Sequence, residues 1–280
     1  MNESVRRFLR NPKAQFGLAV LAIVVLAALF APFLFPRNPW QMATRPFLPP
    51  FQDPHFWLGT DMLGRDILAG LVYGAQVSLI VGLVSTLVAV GVGILFGALA
   101  GYYGGVIDDA LMRVTEFFQT IPTFVFALVL VAILSPSVAS IIIAIGIVSW
   151  PPVARLVRGE FASLRSREYV KAAIVLGHSD RQIMLTQILP NTMSPIIALS
   201  SLMVASAILT EAAISFLGLG DPNMMSWGYM IGASRTVMRQ AWWMSFFPGI
   251  VILFAVLALN LLGDALNDVL NPRLSKKGRQ

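Results

Sequence analysis

Two stretches of this chain, from Ile67 to Ile107 and from Phe117 to Ala154, contain no Asp, Glu, Lys or Arg. A water-soluble domain needs polar faces on every helix, so uncharged runs of this length require an apolar solvent, the interior of a bilayer. Composition agrees: 57% of the residues are hydrophobic and 12% charged, whereas a soluble domain carries about 25% charged residues. With 1.5 Å of rise per residue a span needs about 20 apolar residues, and six segments qualify: roughly 16–35, 77–101, 114–134, 138–157, 194–216 and 242–263. The expected fold class is an all-α integral membrane protein with about six transmembrane helices.

Ser135, Pro136 and Ser137 separate the third and fourth spans, which predicts a tight helical hairpin broken at the proline. Gly93, Gly97 and Gly101 put three small residues on one face of the second span, a surface for close helix packing. The first span follows Arg6, Arg7, Arg10 and Lys13. Its uncharged run from Ala14 to Pro36 is too long for a signal peptide, and it reads as an anchor with its N-terminus inside the cell. With that orientation, fifteen of the 20 Lys and Arg residues fall on the inner side and five (Arg37, Arg45, Arg65, Arg235 and Arg239) outside, as the positive-inside tendency requires. The pI near 10.1 is therefore charge sorted for insertion beside membrane lipid, not a nucleic-acid surface. Both termini are expected in the cytoplasm. Residues 1–76 form an N-terminal tail, first span and external segment, and 77–280 a five-helix core. Trp40, Trp57, Trp242 and Trp243 suit headgroup depth, and the external segments 36–74 and 217–241 offer surfaces to an outside partner.

Enzyme chemistry finds little support. The chain has no cysteine, hence no thiolate, disulfide or Cys-based metal site. It has only two histidines, His55 and His178. No G-x-x-x-x-G-K-[ST], H-E-x-x-H or G-x-S-x-G motif occurs, so this chain is not expected to hydrolyse ATP or to bind a cofactor or metal. Asp264 and Asp268, with Asn260 and Asn267, form one polar stripe at the end of the last span, and Asp108, Asp109 and Glu116 invite pairing with Arg113. Glu211 is a carboxylate inside the fifth span. Intramembrane charge is costly and either lines a path or pairs with a neighbour, so Glu211 and, one turn on, Ser215 are candidates for a translocation path.

The internal loop 158–193 carries the most information. Its segment Ser166 to Asn191 reads "SREYVKAAIVLGHSDRQIMLTQILPN". It scans as two short helices: Ser166 as first cap with Glu168 in the first turn, Gly177 as left-handed terminator, Ser179 as second cap and Pro190 as stop. By itself this also describes an amphipathic hairpin on lipid headgroups. The pair Ala172 and Ala173, four residues before a glycine and followed by an Ile-Leu-Pro run, resembles the Glu-Ala-Ala loop of permease subunits in ATP-binding-cassette (ABC) importers. Further segments resemble the smaller permease of the dipeptide, oligopeptide and nickel importers in their expected order: "LGTDMLGRDILAGLVYGAQVSL" from Leu58, "AGYYGG" from Ala100, "EAAISFLGLG" from Glu211, "WWMSFFPGI" from Trp242 and "NLLGDALNDVLNPRL" from Asn260. Lys171 stands where the general pattern has a glutamate, and Gln187 where the peptide branch often has His.

That resemblance implies a type I ABC importer permease fold, with Glu168, Tyr169, Lys171, Ala172, Ala173, Leu176 and Gly177 forming a coupling helix on a cytoplasmic ATPase. It further implies a second homologous permease as heterodimer partner, two ATPase subunits holding ATP and Mg, an extracytoplasmic solute-binding protein and a bacterial inner-membrane location. The cargo it implies is peptides, with nickel chelates or opine-like compounds as alternatives. An ion-coupled secondary transporter is the competing class, but it places several ionisable groups at mid-membrane within two repeated halves. Here Glu211 is the one candidate and no repeat is visible.

Overall fold

The computed structural model describes residues 8–36 and 38–270. Arg6, Arg7, Arg37, Arg273, Lys276, Lys277 and Arg279, all used in the charge sorting, lie outside the described residues. Among those described, regular structure is helical: α1 (Pro12–Leu29), α2 (Ile67–Tyr103), α3 (Gly105–Thr120), α4 (Thr123–Leu134), α5 (Val138–Ser149), α6 (Pro151–Arg165), α7 (Glu168–Val175), α8 (Asp180–Gln182), α9 (Leu189–Ile214), α10 (Trp227–Ser234) and α11 (Trp243–Leu270). Four helices are long and apolar enough to cross a membrane, and six spans result when two bent pairs are each counted as one.

The bundle is organised around α2, which touches α1, α5, α6 and α9. Its start is fixed by Asp66, whose side chain accepts from the Leu68 N–H at 2.9 Å. Burial pushes the Asp66 carboxyl upward, and that backbone hydrogen bond opposes the shift. Helix α2 begins at Ile67 rather than Val77, because Ile67 and Leu71 pack with Trp227 and Met244 in one buried cluster beyond the hydropathy window.

The glycine face works as the sequence predicts. A Cβ on Gly97 would stand 2.5 Å from the Ala154 carbonyl oxygen and 2.7 Å from the Val157 Cβ. Gly93 and Gly101 meet α6 in the same way, so α2 and α6 lie backbone to backbone.

Two spans are not straight. The segment expected as one helix over 114–134 breaks at Ile121–Pro122, where α3 and α4 diverge by 83°, and the next, 138–157, bends by 41° between α5 and α6. Each break precedes a proline, Pro122 or Pro151, which has no N–H for the helix ladder and clashes with the preceding turn. The α4–α5 hairpin is as expected: Ser135 takes a positive φ of 72°, and Ser137 caps α5 by accepting from the Ser140 N–H at 3.1 Å.

Three further expectations are corrected. Pro190 does not end a helix: the chain stays helical from Asp180 through Ile214, because a π-helical segment, Ile183–Ile188, widens the turn ahead of the proline and accommodates its ring and missing donor. Ser166 ends α6, and the extended residue before α7 is Arg167, which makes no side-chain cap. Asp108 pairs with Arg158, not Arg113, through two contacts of 2.6 Å from Nε and Nη2, since the α3–α6 packing brings those two side chains together.

At the end of the bundle away from α7, residues 38–66 form an ordered, strandless fold-back. Thr60 ties it together, its hydroxyl donating to the Arg45 carbonyl at 2.8 Å and accepting from the Leu48 N–H at 3.0 Å. Trp40 is not a free interfacial ring: Arg65 lies 4.7 Å above it and Tyr229 5.2 Å away. The Trp243 indole N–H donates to the Thr60 carbonyl at 3.1 Å. Trp57 and Trp242 are exposed.

Candidate functional site

The hairpin after α6 is built for rigidity. Helix α7 ends in a paired-hydrogen-bond cap: the Gly177 N–H donates to the Ile174 carbonyl at 3.0 Å and the His178 N–H to the Ala173 carbonyl at 3.1 Å. This arrangement needs a left-handed residue, and Gly177 supplies φ 82°. Ser179 then caps α8 by accepting from the Gln182 N–H at 3.3 Å. A brace joins the hairpin to the bundle: the Tyr102 hydroxyl at the end of α2 donates to the Asp180 carboxylate at 2.7 Å. The Arg165 guanidinium lies 5.2 Å over the same ring and donates to the Tyr103 carbonyl at 3.4 Å. The hairpin is thereby tied to the ends of α2 and α6 together.

The seven residues expected to couple this loop separate into two faces. Ala173 is turned inward and buried, in one cluster with Val170, Tyr102, Val157, Phe161 and Ile183. Its small size seats α7 closely on its own subunit, while Ala172 stays on the outward face. Glu168, Tyr169, Lys171, Ala172, Leu176 and Gly177 are exposed. At the tip, Val175 is 86% and Leu176 76% exposed, an apolar pair presented outward from the bundle. Sequence reasoning omitted Val175 and Ile174, and a search for apolar residues beside the left-handed glycine would have found both. It also missed Tyr102 and Asp180, 78 positions apart, which no local signal connects.

Glu211 is buried, at 1% exposure. Its carboxylate accepts from Ser215 and Ser226 at 2.7 Å each and from Ser78 at 3.3 Å. The Ser78 hydroxyl in turn accepts from the Trp227 N–H at 3.3 Å. These donors come from α2, from the π-helical end of α9 (Ser215–Leu219) and from the residue that caps α10, so one carboxylate gathers three elements. Ser215 is buried with it.

A cavity of about 500 Å³ lies beside this knot, bordered by Ser85 and Thr86 of α2, Phe118 and Gln119 of α3, Ser149 of α5, and Met203, Ser206 and Thr210 of α9. Glu211 and Ser215 do not border it, but Thr210, next to Glu211, does. Thr86 stands halfway along the 37-residue α2. The cavity is therefore at mid-depth, where Pro122, Pro151 and Pro152 kink the adjoining helices.

Several membrane-length helices, two bent spans around a cavity and an ordered hairpin at one end define a class, the multi-pass membrane permeases. The chain belongs to the family described as binding-protein-dependent transport system inner membrane components, which matches residues 93–276, while residues 1–50 match the N-terminal transmembrane domain of oligopeptide transport permease C. It is 40% identical over 98% of its length to the di/tripeptide transport system permease protein DppC of Pseudomonas aeruginosa, covering 92% of that protein. Identity to the dipeptide permease DppC of Bacillus subtilis is 38%, over 97% of this chain and 85% of that one. With the oligopeptide permease OppC of Haemophilus influenzae it is 36%, over 97% and 88%. An inward-facing structure of the MetNI methionine ABC transporter shares the fold, with a TM-score of 0.60 at 15% identity over 73% of this chain and 98% of that one. The chain is a multi-pass permease subunit of an ABC importer.

Proposed function

We propose that this permease forms half of the path by which a bacterium imports di- or oligopeptides, worked by an ATPase seated on residues 168–177. The observation that carries the coupling role is the hairpin itself, with an exposed Val175–Leu176 tip, a buried Ala173 footing and the Tyr102–Asp180 brace. The peptide assignment is supported by the named substrates of the full-length relatives. Nickel chelates and opine-like compounds gain no support from them, and no observation favours an ion-coupled carrier.

The working assembly pairs this chain with a second homologous permease, two ATPase subunits that bind ATP and Mg, and an extracytoplasmic binding protein. It sits in the inner membrane with both termini cytoplasmic. ATP-driven closure of the ATPases moves the hairpins, and the kinked spans α3–α4 and α5–α6 pivot to turn the shared cavity outward. The exposed Phe51 and Trp57 of the fold-back meet the binding protein. Glu211 and Ser215 serve the path by fixing its far wall: the carboxylate holds α10 against α2 and α9.

Gly177→Pro tests this reading. Proline requires φ near −65° and has no N–H, so the cap is lost. The expected result is a chain that inserts and assembles but whose ATP-driven uptake of a dipeptide into proteoliposomes falls by at least about tenfold. Normal uptake by the well-assembled variant contradicts the coupling role.

A further inference from the structure

The mid-depth cavity has a chemical bias. Among the described residues no charged side chain borders it, although serine, threonine and glutamine side chains line part of its wall. The half-buried Thr210 hydroxyl donates to the Ser206 carbonyl at 2.8 Å, which leaves its oxygen as an acceptor. Gln119 and Ser206 are exposed and make no side-chain hydrogen bond among the described residues.

The kinks add backbone groups. Pro122 gives no N–H to the Phe118 carbonyl, and Pro152 gives none to the Val148 carbonyl. Phe118 and Val148 both border the cavity. The wall thus carries uncharged donors and acceptors at Gln119, Ser206 and Thr210, the kinds of group that a peptide backbone also offers.

From this we infer that the cavity is this subunit's cargo-contacting wall and that it handles cargo through neutral amide hydrogen bonding, without regard to cargo charge. The inference rests on the peptide-permease reading above. A fixed wall charge close to a cargo charge would interact with it strongly in a site shielded from bulk water. It would hold one peptide and repel the next. Neutral hydrogen bonds, each weak in net terms, replace the water that cargo sheds and still release it. Every peptide offers the N–H and C=O groups they need.

The chain has no cysteine, so Ser206→Cys introduces its first thiol. In the assembled complex in proteoliposomes, the thiol is modified in one sample with a negatively charged methanethiosulfonate and in another with a positively charged one, wild type treated alike serving as blank. ATP-driven uptake of alanyl-lysyl-alanine and alanyl-glutamyl-alanine is then compared. The unmodified complex is expected to move the two within about threefold of each other. The negative label should slow the glutamyl peptide about tenfold more than the lysyl one, and the positive label should reverse the order, a difference of about 1.4 kcal/mol. Thr210→Cys on the same wall gives a second attachment point should Ser206→Cys fail to assemble. Equal slowing of both peptides by both labels overturns the inference. So does strong charge preference before labelling, or a thiol that no reagent reaches in the assembled complex, which would make the wall a contact with the second permease. Absence of any tripeptide uptake by a wild-type complex that hydrolyses ATP would instead sink the peptide reading, and the inference with it.

Discussion

Glu211 holds three hydroxyls, Ser78, Ser215 and Ser226, at 3.3, 2.7 and 2.7 Å in a site without water access. Removing the carboxylate leaves each donor unpaired. At about 1–3 kcal/mol per buried unsatisfied group, Glu211→Ala should lower the thermal midpoint of the detergent-purified complex markedly. Glu211→Gln keeps the shape and lets rotatable hydroxyls reorient, and it should retain most of the stability. Equal midpoints for Glu211→Ala and wild type would show that the knot contributes nothing. The sequence alone marks Glu211 as anomalous, because a carboxylate in an apolar run is visible in one dimension. Its partners are not visible there: Ser78 is 133 positions away, and serine in a helix more often spends its hydroxyl on its own backbone, as Ser200 does on the Ile196 carbonyl at 2.7 Å.

Among the elements, α2 is the member against which the others are set, with a glycine face pressed to α6 and Tyr102 at one end bracing the hairpin. Gly97→Val should separate α2 from α6, since its Cβ would lie 2.5 Å from the Ala154 carbonyl oxygen. Overpacking of this kind costs about 1–3 kcal/mol, and loss of assembled complex on size exclusion is the expected reading. Tyr102→Phe deletes one hydrogen bond while keeping the ring under Arg165. It should preserve assembly and ATP hydrolysis but lower the cargo moved per ATP by about two- to fivefold, because about 1 kcal/mol of coupling is removed. An unchanged ratio would show that force reaches α2 by another route.

The glycine face was legible because four-residue spacing is a helical pattern in itself. The two kinks were not, although Pro122 and Pro151 are plain in the sequence: hydropathy averaged over a span is indifferent to a change of direction inside it. The continuous helix through Pro190 was hidden for the opposite reason, since a π-helical turn absorbs a residue that ordinarily stops a helix.

Taken whole, the molecule divides its labour along its length. The fold-back of residues 38–66 and α10 close one end, the kinked spans enclose an uncharged cavity at mid-depth, and the braced hairpin presents an apolar tip at the other end. Hydropathy alone gave the membrane class, with four helices among the described residues able to cross and two more spans if each bent pair is one, and the loop pattern gave the family. The separation of α7 into a seated face and a presented face required the packing of Val170 and Ala173 against Phe161 and Ile183. The central claim is that the tip bears on a separate ATPase, and a photo-crosslinking residue at Leu176 in membranes bearing the complete complex tests it most directly. The account predicts a nucleotide-sensitive adduct between this chain and the ATPase subunit, abolished when that subunit is stripped away. A tip that crosslinks to lipid alone, unchanged by ATP while transport proceeds, would contradict it.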